Sequence, residues 1–257
     1  MILYKYVPPE RVDILRNGYI AFPPPWLFND PFEASPVYAA DSVEAIALFD
    51  EYRPIRAQLT AEQEKALQAR IDAIQNAHGT RRIMLEQAAR SVGVLSLSAT
   101  NDNLLMWAHY TQQHTGFVIG FDTAKEAWIE SGRLNGPPGE PFKIIYSGTR
   151  PAPVSMTDMT PEHIWYTKSS EWEYEQEWRV TRWIPKAPRT ATRADGEKVP
   201  LFPLPAEAVS QIIFGCHAPE ILQGEILEII TKPPYRGVTW AHAELDPNEF
   251  KLNIVSR

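Results

Sequence analysis

The sequence predicts a single α+β domain spanning residues 1–257, with a mixed, mostly antiparallel sheet and an inserted helical segment at about 41–90. Three observations carry this reading. Short runs rich in β-branched and aromatic residues recur along the chain, separated by irregular punctuation and brief helical patterns. Residues 41–90 turn instead to Ala, Gln, Glu, Leu and Arg with few glycines, a composition of strong helix propensity. The 23 prolines, with no internal repeat, fit irregular connections better than a regular alternation of strand and helix.

In order, ILYKYV reads as a strand. PPERVDILRNG then carries Pro at a helix start and Gly18 as its stop, and YIAF is a second strand ended by Pro23, Pro24 and Pro25. WLFNDPFE is a loop by its Asn-Asp-Pro signature. The helical block looks like two or three helices broken near Pro54 and Gly79. VGVLSLS is a buried strand, ATNDNLLMWAHYTQQH a capped helix running up to Gly116, FVIGFD a strand, and Ala124 to Ser131 a helix. FKIIYS reads as one strand, Pro151 to Pro161 as irregular, His163 to Lys168 as a helical turn, and EWEYEQEWRVTRW as an unusually long strand. VSQIIFG, a helix near Ile221 to Ile230, GVTWAHAEL and FKLNIV complete the chain.

Length fits one core, since single domains run to about 250 residues before they split. With 44% hydrophobic and 22% charged residues the composition is that of an ordinary folded domain. A net charge of -7 provides no global field toward nucleic acid or anionic membranes. Lys186, Arg189, Arg193 and Lys198 form a local basic stretch that reads as a loop, either solvated or touching a polyanion. One cysteine, Cys216, excludes an intramolecular disulfide and points to a reducing, cytoplasmic setting. Cys216 reads as a packing residue rather than a nucleophile beside His217. The opening MILYKYVPPE lacks a secretory pattern, and no apolar run approaches the roughly 18 residues of a membrane span.

Three groups of residues are candidates for chemistry. A period of two along the presumed long strand puts Glu173, Glu175, Glu177 and Arg179 on one face and Trp172, Tyr174, Trp178 and Val180 on the other. That acidic face is either solvated or the wall of a cleft, where crowding would raise at least one carboxyl pKa. In the aromatic loop, Asn29 and Asp30 either point into a pocket or close a local turn. On the helix, His109 and Tyr110 are either packing residues or polar groups beside the strand carrying Ser96 and Ser98. His109 and His114 are five apart, which does not support a metal pair, and no metal site is expected from histidine or cysteine spacing. There is no phosphate loop, dinucleotide-binding glycine motif or nucleophile elbow.

LYKY, FNDPFE, NLLMWAHYTQQHTGFVIGFD, WEYEQEWRV and QIIFG together resemble the ordered blocks of the bacterial family called domain of unknown function 2971, a label that names no reaction. The order Tyr4-Lys5-Tyr6, Ser96-Leu97-Ser98, Glu175-Gln176-Glu177 also resembles the ADP-ribosyltransferase fold, although Lys5 or Tyr6 would have to stand where that fold carries Arg or His. This resemblance implies NAD as the cofactor consumed. Glu177 would stabilise an oxocarbenium-like ribose and Glu175 would activate an acceptor, with His109 as a further catalytic candidate. Tyr4, Lys5, Tyr6, Asn29, Asp30, Ser96, Ser98 and Tyr110 would be the cofactor contacts. The function so implied is an ADP-ribosyltransferase or NAD glycohydrolase, as a toxin or phage-defence effector, acting on a protein or nucleic-acid acceptor. Two other readings stand beside it. One is a non-catalytic nucleic-acid-binding or regulatory module of a defence locus, using the aromatic loop and the basic stretch. The other is a metal-dependent nuclease using Asp30, Glu33, Glu175 and Glu177.

Overall fold

Side-chain alternation along Ile2–Val7 (β1) sends Leu3 and Val7 into one core and Tyr6 into another, so the first strand has to sit inside a sheet with both faces covered. It pairs antiparallel with Phe117–Asp122 (β4) along its whole length, and with Val92–Ser98 (β3) at the single position Tyr4↔Ser98. The two strands that flank β1 are therefore held very differently, and the gap beside β3 is where the candidate site opens. The computed structural model describes residues 1–33, 59–70, 72–73, 91–129, 140–151, 165–235 and 237–257.

The sheet has eight strands. Beyond β4 lie Val209–Phe214 (β11), Thr239–Leu245 (β12) and Leu252–Ser256 (β13); beyond β3 lie Glu177–Trp183 (β8) and the short Phe142–Lys143 (β5). All neighbours are antiparallel except β11 and β12. A parallel pair needs a crossover, and the helix Glu220–Ile230 (α3) supplies it, burying Leu222, Ile226 and Ile230 against the sheet. The short helix Asp13–Asn17 (α1) joins the same core and ends on Gly18, whose φ of 68° is the left-handed conformation that a helix stop favours. A second sheet, Tyr19–Ala21 (β2), Lys198–Pro203 (β10) and Arg189–Thr192 (β9), adds Ile20 and Phe202 to it.

The opposite face is covered by the helix Leu104–Tyr110 (α2), which buries Met106 and Trp107 against Tyr6, Val118 and Ile213. Asn103 starts this helix: its side-chain oxygen accepts from Leu105 N at 3.0 Å and Met106 N at 3.1 Å. Asn103→Ala is expected to cost about 1 kcal/mol, and a thermal unfolding curve should show a midpoint about 2–4 °C lower. After α2 the chain reverses through Gln112, Gln113 and His114, all at positive φ, and Gly116 closes the turn because a side chain there would collide with the Val7 carbonyl.

The expected α+β class with a mostly antiparallel mixed sheet holds, and five local expectations do not. The helix expected to run up to Gly116 ends at Tyr110, because Gln112, Gln113 and His114 take left-handed φ values that a helix does not allow. EWEYEQEWRVTRW is not one strand. Ser169 caps a 3-10 turn over Ser170–Glu175, Gln176 turns left-handed at φ 44°, and only Glu177–Trp183 is extended. FKIIYS breaks at Ile144 into β5 and Ile145–Ser147 (β6), because Ile144 N bonds Glu177 O and Ile145 N bonds Tyr166 O, drawing the chain out of the large sheet. The described part of the expected turn at His163 to Lys168 ends in a strand, Thr167–Ser169 (β7), parallel to β6. The basic stretch is no loop but the β9–β10 hairpin and its approach.

Of the helical block at 41–90, residues 61–70 are helical, opened by reciprocal bonds between Thr60 and Gln63, while the breaks expected at Pro54 and Gly79 lie outside the described residues. Pro151 begins the segment read as irregular; 152–161 are outside them too, as is the end of the helix expected after Ala124.

Candidate functional site

Tyr4, Ser98 and Glu177 form one cross-strand row over β1, β3 and β8, and Ser96 and Arg179 form the next row along β3 and β8. Opposed residues in a sheet share a face, so these side chains project to the side on which α2 and the Pro25–Glu33 loop lie. The result is a cleft of about 430 Å³, within the roughly 300–1,000 Å³ of small-molecule sites. Ten of the eleven residues singled out from sequence line it: Tyr4, Lys5, Tyr6, Asn29, Ser96, Ser98, His109, Tyr110, Glu175 and Glu177. Asp30 does not; its Oδ1 accepts from Phe32 N at 2.8 Å and closes the local turn.

Of the acidic row expected from alternation, Glu173 is exposed on the 3-10 turn, whereas Glu175 and Glu177 are buried. Tyr174, expected on the opposite face with Val180, packs on the α2 side, because the turn breaks the period of two. Two groups that the sequence did not mark as partners complete the site. Lys168, from β7, places Nζ 3.0 Å from Glu33, 2.5 Å from Glu175 and 3.1 Å from Glu177. Arg179 donates from Nε to Glu177 at 2.7 Å, from Nη2 to Glu33 at 2.7 Å, and from Nη1 to the Trp165 carbonyl at 2.7 Å. Three carboxylates and two cations, each less than a tenth exposed, thus form a closed ion cluster at the floor of the cleft.

Burial by itself would push the Glu177 acid up, but Arg179 and Lys168 outweigh it and the carboxyl is lowered to about 2. Ser96 supports this with a side-chain hydrogen bond to Glu177. Burial likewise works against the Lys168 ammonium, and the charges of Glu177, Glu33 and Glu175 more than reverse it, so Lys168 is held protonated. Glu33 goes the other way: burial raises it against the pull of Arg179 and Lys168. The remaining Glu175 oxygen accepts from Tyr110 OH at 2.5 Å. Tyr110 in turn accepts a long bond of 3.4 Å from Asn29.

Several lining groups are occupied in holding the site together. Ser98 Oγ donates to the Glu175 carbonyl at 2.6 Å and so fastens the 3-10 turn to β3. Tyr6 OH donates to the Thr100 carbonyl at 3.0 Å and turns its hydroxyl away from any ligand. The Glu177 backbone N donates to Tyr146 OH at 2.7 Å, tying β6 to the same corner. Tyr4, Lys5, Asn29, Tyr110 and the exposed His109 line the rest of the cleft.

The carboxylates converge on the Lys168 ammonium, which stands where a divalent cation would draw oxygen ligands. Among the described residues no group of three or more His, Cys, Asp or Glu is arranged to hold a metal ion. Cys216 and His217 line a different, shallow pocket with His242, and burial raises the Cys216 thiol, away from a reactive thiolate. In the basic hairpin, Arg193 pairs with Asp195 and Arg189 lies over the Tyr19 ring.

Fold and site define an α+β protein whose central sheet opens a cleft of mixed polar and apolar lining over a buried ion cluster. Residues 106–180 match the model of the family described as Protein of unknown function (DUF2971). That stretch holds most of α2, with His109 and Tyr110, then Lys168, Glu175, Glu177 and Arg179, so the match spans most of the cluster. No curated protein and no solved structure matches the chain. No helix among the described residues is long and apolar enough to cross a membrane.

Proposed function

We propose that the cleft binds NAD and cleaves its N-glycosidic bond, making the protein an ADP-ribosyltransferase or NAD glycohydrolase. The observation that carries this reading is Glu177, a carboxylate fixed by Arg179 and Lys168 and held ionised down to about pH 2, in register with Ser98 and Tyr4 at the cleft. Departure of nicotinamide leaves positive charge on the ribose, and a permanently anionic group with fixed geometry stabilises that charge without rearranging. Glu175, aimed by Tyr110 and Lys168, is the second carboxylate and serves the incoming nucleophile. Tyr4, Asn29 and the Phe28 ring give the sugar and the nicotinamide polar and aromatic contacts. The acceptor is water or a macromolecule, protein or nucleic acid, in a cytoplasmic toxin or phage-defence role.

The ion cluster favours this reading over a metal-dependent nuclease, because its carboxylate oxygens already bind Lys168 and Arg179. It is tested by following nicotinamide release from NAD with purified protein, with and without cell extract, alongside Glu177→Gln. Release that the variant loses supports the proposal. Chelator-sensitive cleavage of nucleic acid without nicotinamide release would favour the nuclease, and strongly salt-dependent binding without turnover would favour the nucleic-acid-binding module.

A further inference from the structure

Two lysines face the cleft, and they are in opposite situations. Lys168 spends all three donors on carboxylates. Lys5 Nζ donates to the Ser96 carbonyl at 3.0 Å and, among the described residues, forms no ion pair. The bond to Ser96 has a structural origin. β1 and β3 pair only at Tyr4↔Ser98, so the Ser96 carbonyl lacks a strand partner on the β1 side, and the Lys5 side chain reaches into the gap to satisfy it. An amine is thereby fixed at the cleft wall, with donors to spare, beside hydroxyl-bearing Tyr4 and Tyr110 and the amide of Asn29.

We propose that Lys5 is a nucleophilic amine and that the cleft captures aldehyde-bearing ligands, specifically the open-chain form of a reducing sugar, as an imine on Lys5 Nζ. The neutral amine adds to the carbonyl carbon, the carbinolamine loses water, and a C=N bond replaces the C=O bond. A sugar is the favoured aldehyde because the Tyr4 and Tyr110 hydroxyls and the Asn29 amide stand among apolar Leu27, Phe28 and Met106, a mixture that suits a chain bearing both C–H and hydroxyl groups. This goes beyond NAD cleavage and does not depend on it.

The protonation of Lys5 agrees with this placement. Burial lowers the ammonium to about 8, with Glu177 and Glu175 opposing and Arg11 reinforcing the effect. An amine at that value holds on the order of a hundredfold more free base near neutral pH than an ordinary lysine, and its lower basicity returns part of the gain in nucleophilicity.

The test uses the whole protein and ribose 5-phosphate with cyanoborohydride at about pH 7.5, and peptide mass spectrometry compares adduct formation at Lys5 with the exposed Lys125 and Lys232. Lys5 is expected to react about tenfold faster than either. Its rate should level off above about pH 8. Lys5→Arg keeps a donor for the Ser96 carbonyl, so it should fold, lose the adduct at that position and leave Lys125 and Lys232 unchanged. Reaction at Lys5 no faster than at the exposed lysines, or only after denaturation, would overturn the proposal. No NAD is present, so this result is separate from nicotinamide release.

Discussion

Lys168→Met is expected to lower the free energy of unfolding by about 3–5 kcal/mol. The native cluster has one carboxylate more than it has cations, and it tolerates burial because every charge is bonded. Removing the ammonium leaves three buried carboxylates with Arg179 as the one remaining cation of the cluster, and leaves Glu175 without its ion-pair partner. Met fills much of the volume of the lysine stem, so the cost reports charge rather than a cavity. Urea denaturation should show the lower midpoint. Adding Glu175→Gln to Lys168→Met should recover part of the loss, because it removes the carboxylate nearest the missing cation while Tyr110 can still donate to the amide oxygen. If Lys168→Met is as stable as the native chain, the cluster is not the closed network described above.

The same cluster sets the acid response. Glu177 has a folded value of about 2 against an ordinary 4.5, so its contribution is fully present above about pH 4.5 and is lost as the pH falls toward 2. Glu33 acts in the opposite sense: because its folded value is raised, protonation favours the native state between that value and the ordinary one. Stability should therefore hold, or rise slightly, as the pH approaches 4.5 from above and then fall steeply. In Glu177→Gln the steep part below pH 4.5 should flatten. A pH series of urea midpoints for the two proteins reads this directly.

How far the sequence revealed the fold depended on whether local pattern and tertiary role agreed. β1, β3, β4 and β11 are apolar runs bounded by turn residues, and α3 is a periodic helix; each is what its residues favour in isolation. The β9–β10 hairpin was hidden because Pro200 and Pro203 lower any expectation of a strand, yet the Pro200 carbonyl is used, accepting from Phe22 N. The break at Gln176 was hidden for a different reason. Alternating Glu and aromatic residues satisfy a period of two as well as a turn, and the left-handed residue is a glutamine rather than a glycine. The candidate site was legible where it rests on motifs held by single strands, Tyr4-Lys5-Tyr6 and Ser96-Leu97-Ser98. Lys168 was not, since its role arises only when β7 folds back against the turn that carries Glu175, and nothing in the residues around it signals three carboxylate partners.

Glu177→Gln is expected to reduce nicotinamide release by about 10²–10³-fold, the loss typical of removing one preorganised electrostatic group. Gln keeps the shape and an oxygen for Arg179 but removes the charge, and it leaves two carboxylates against two cations, a cluster in better formal balance than the native one. The variant should therefore fold and still bind NAD, placing the loss in kcat rather than KM. Glu175→Gln should behave differently. If Glu175 serves the nucleophile, its loss should fall more heavily on transfer to an acceptor in cell extract than on hydrolysis, because water has more ways to approach the ribose than a docked macromolecule does. Release that is equal in the native protein and both variants would mean that the carboxylates only hold β8 to β7 and the Pro25–Glu33 loop, and NAD cleavage would have to be given up. Loss in Glu177→Gln with NAD binding retained would locate the reaction at the row Tyr4, Ser98, Glu177, where the cleft lies beside the split between β1 and β3.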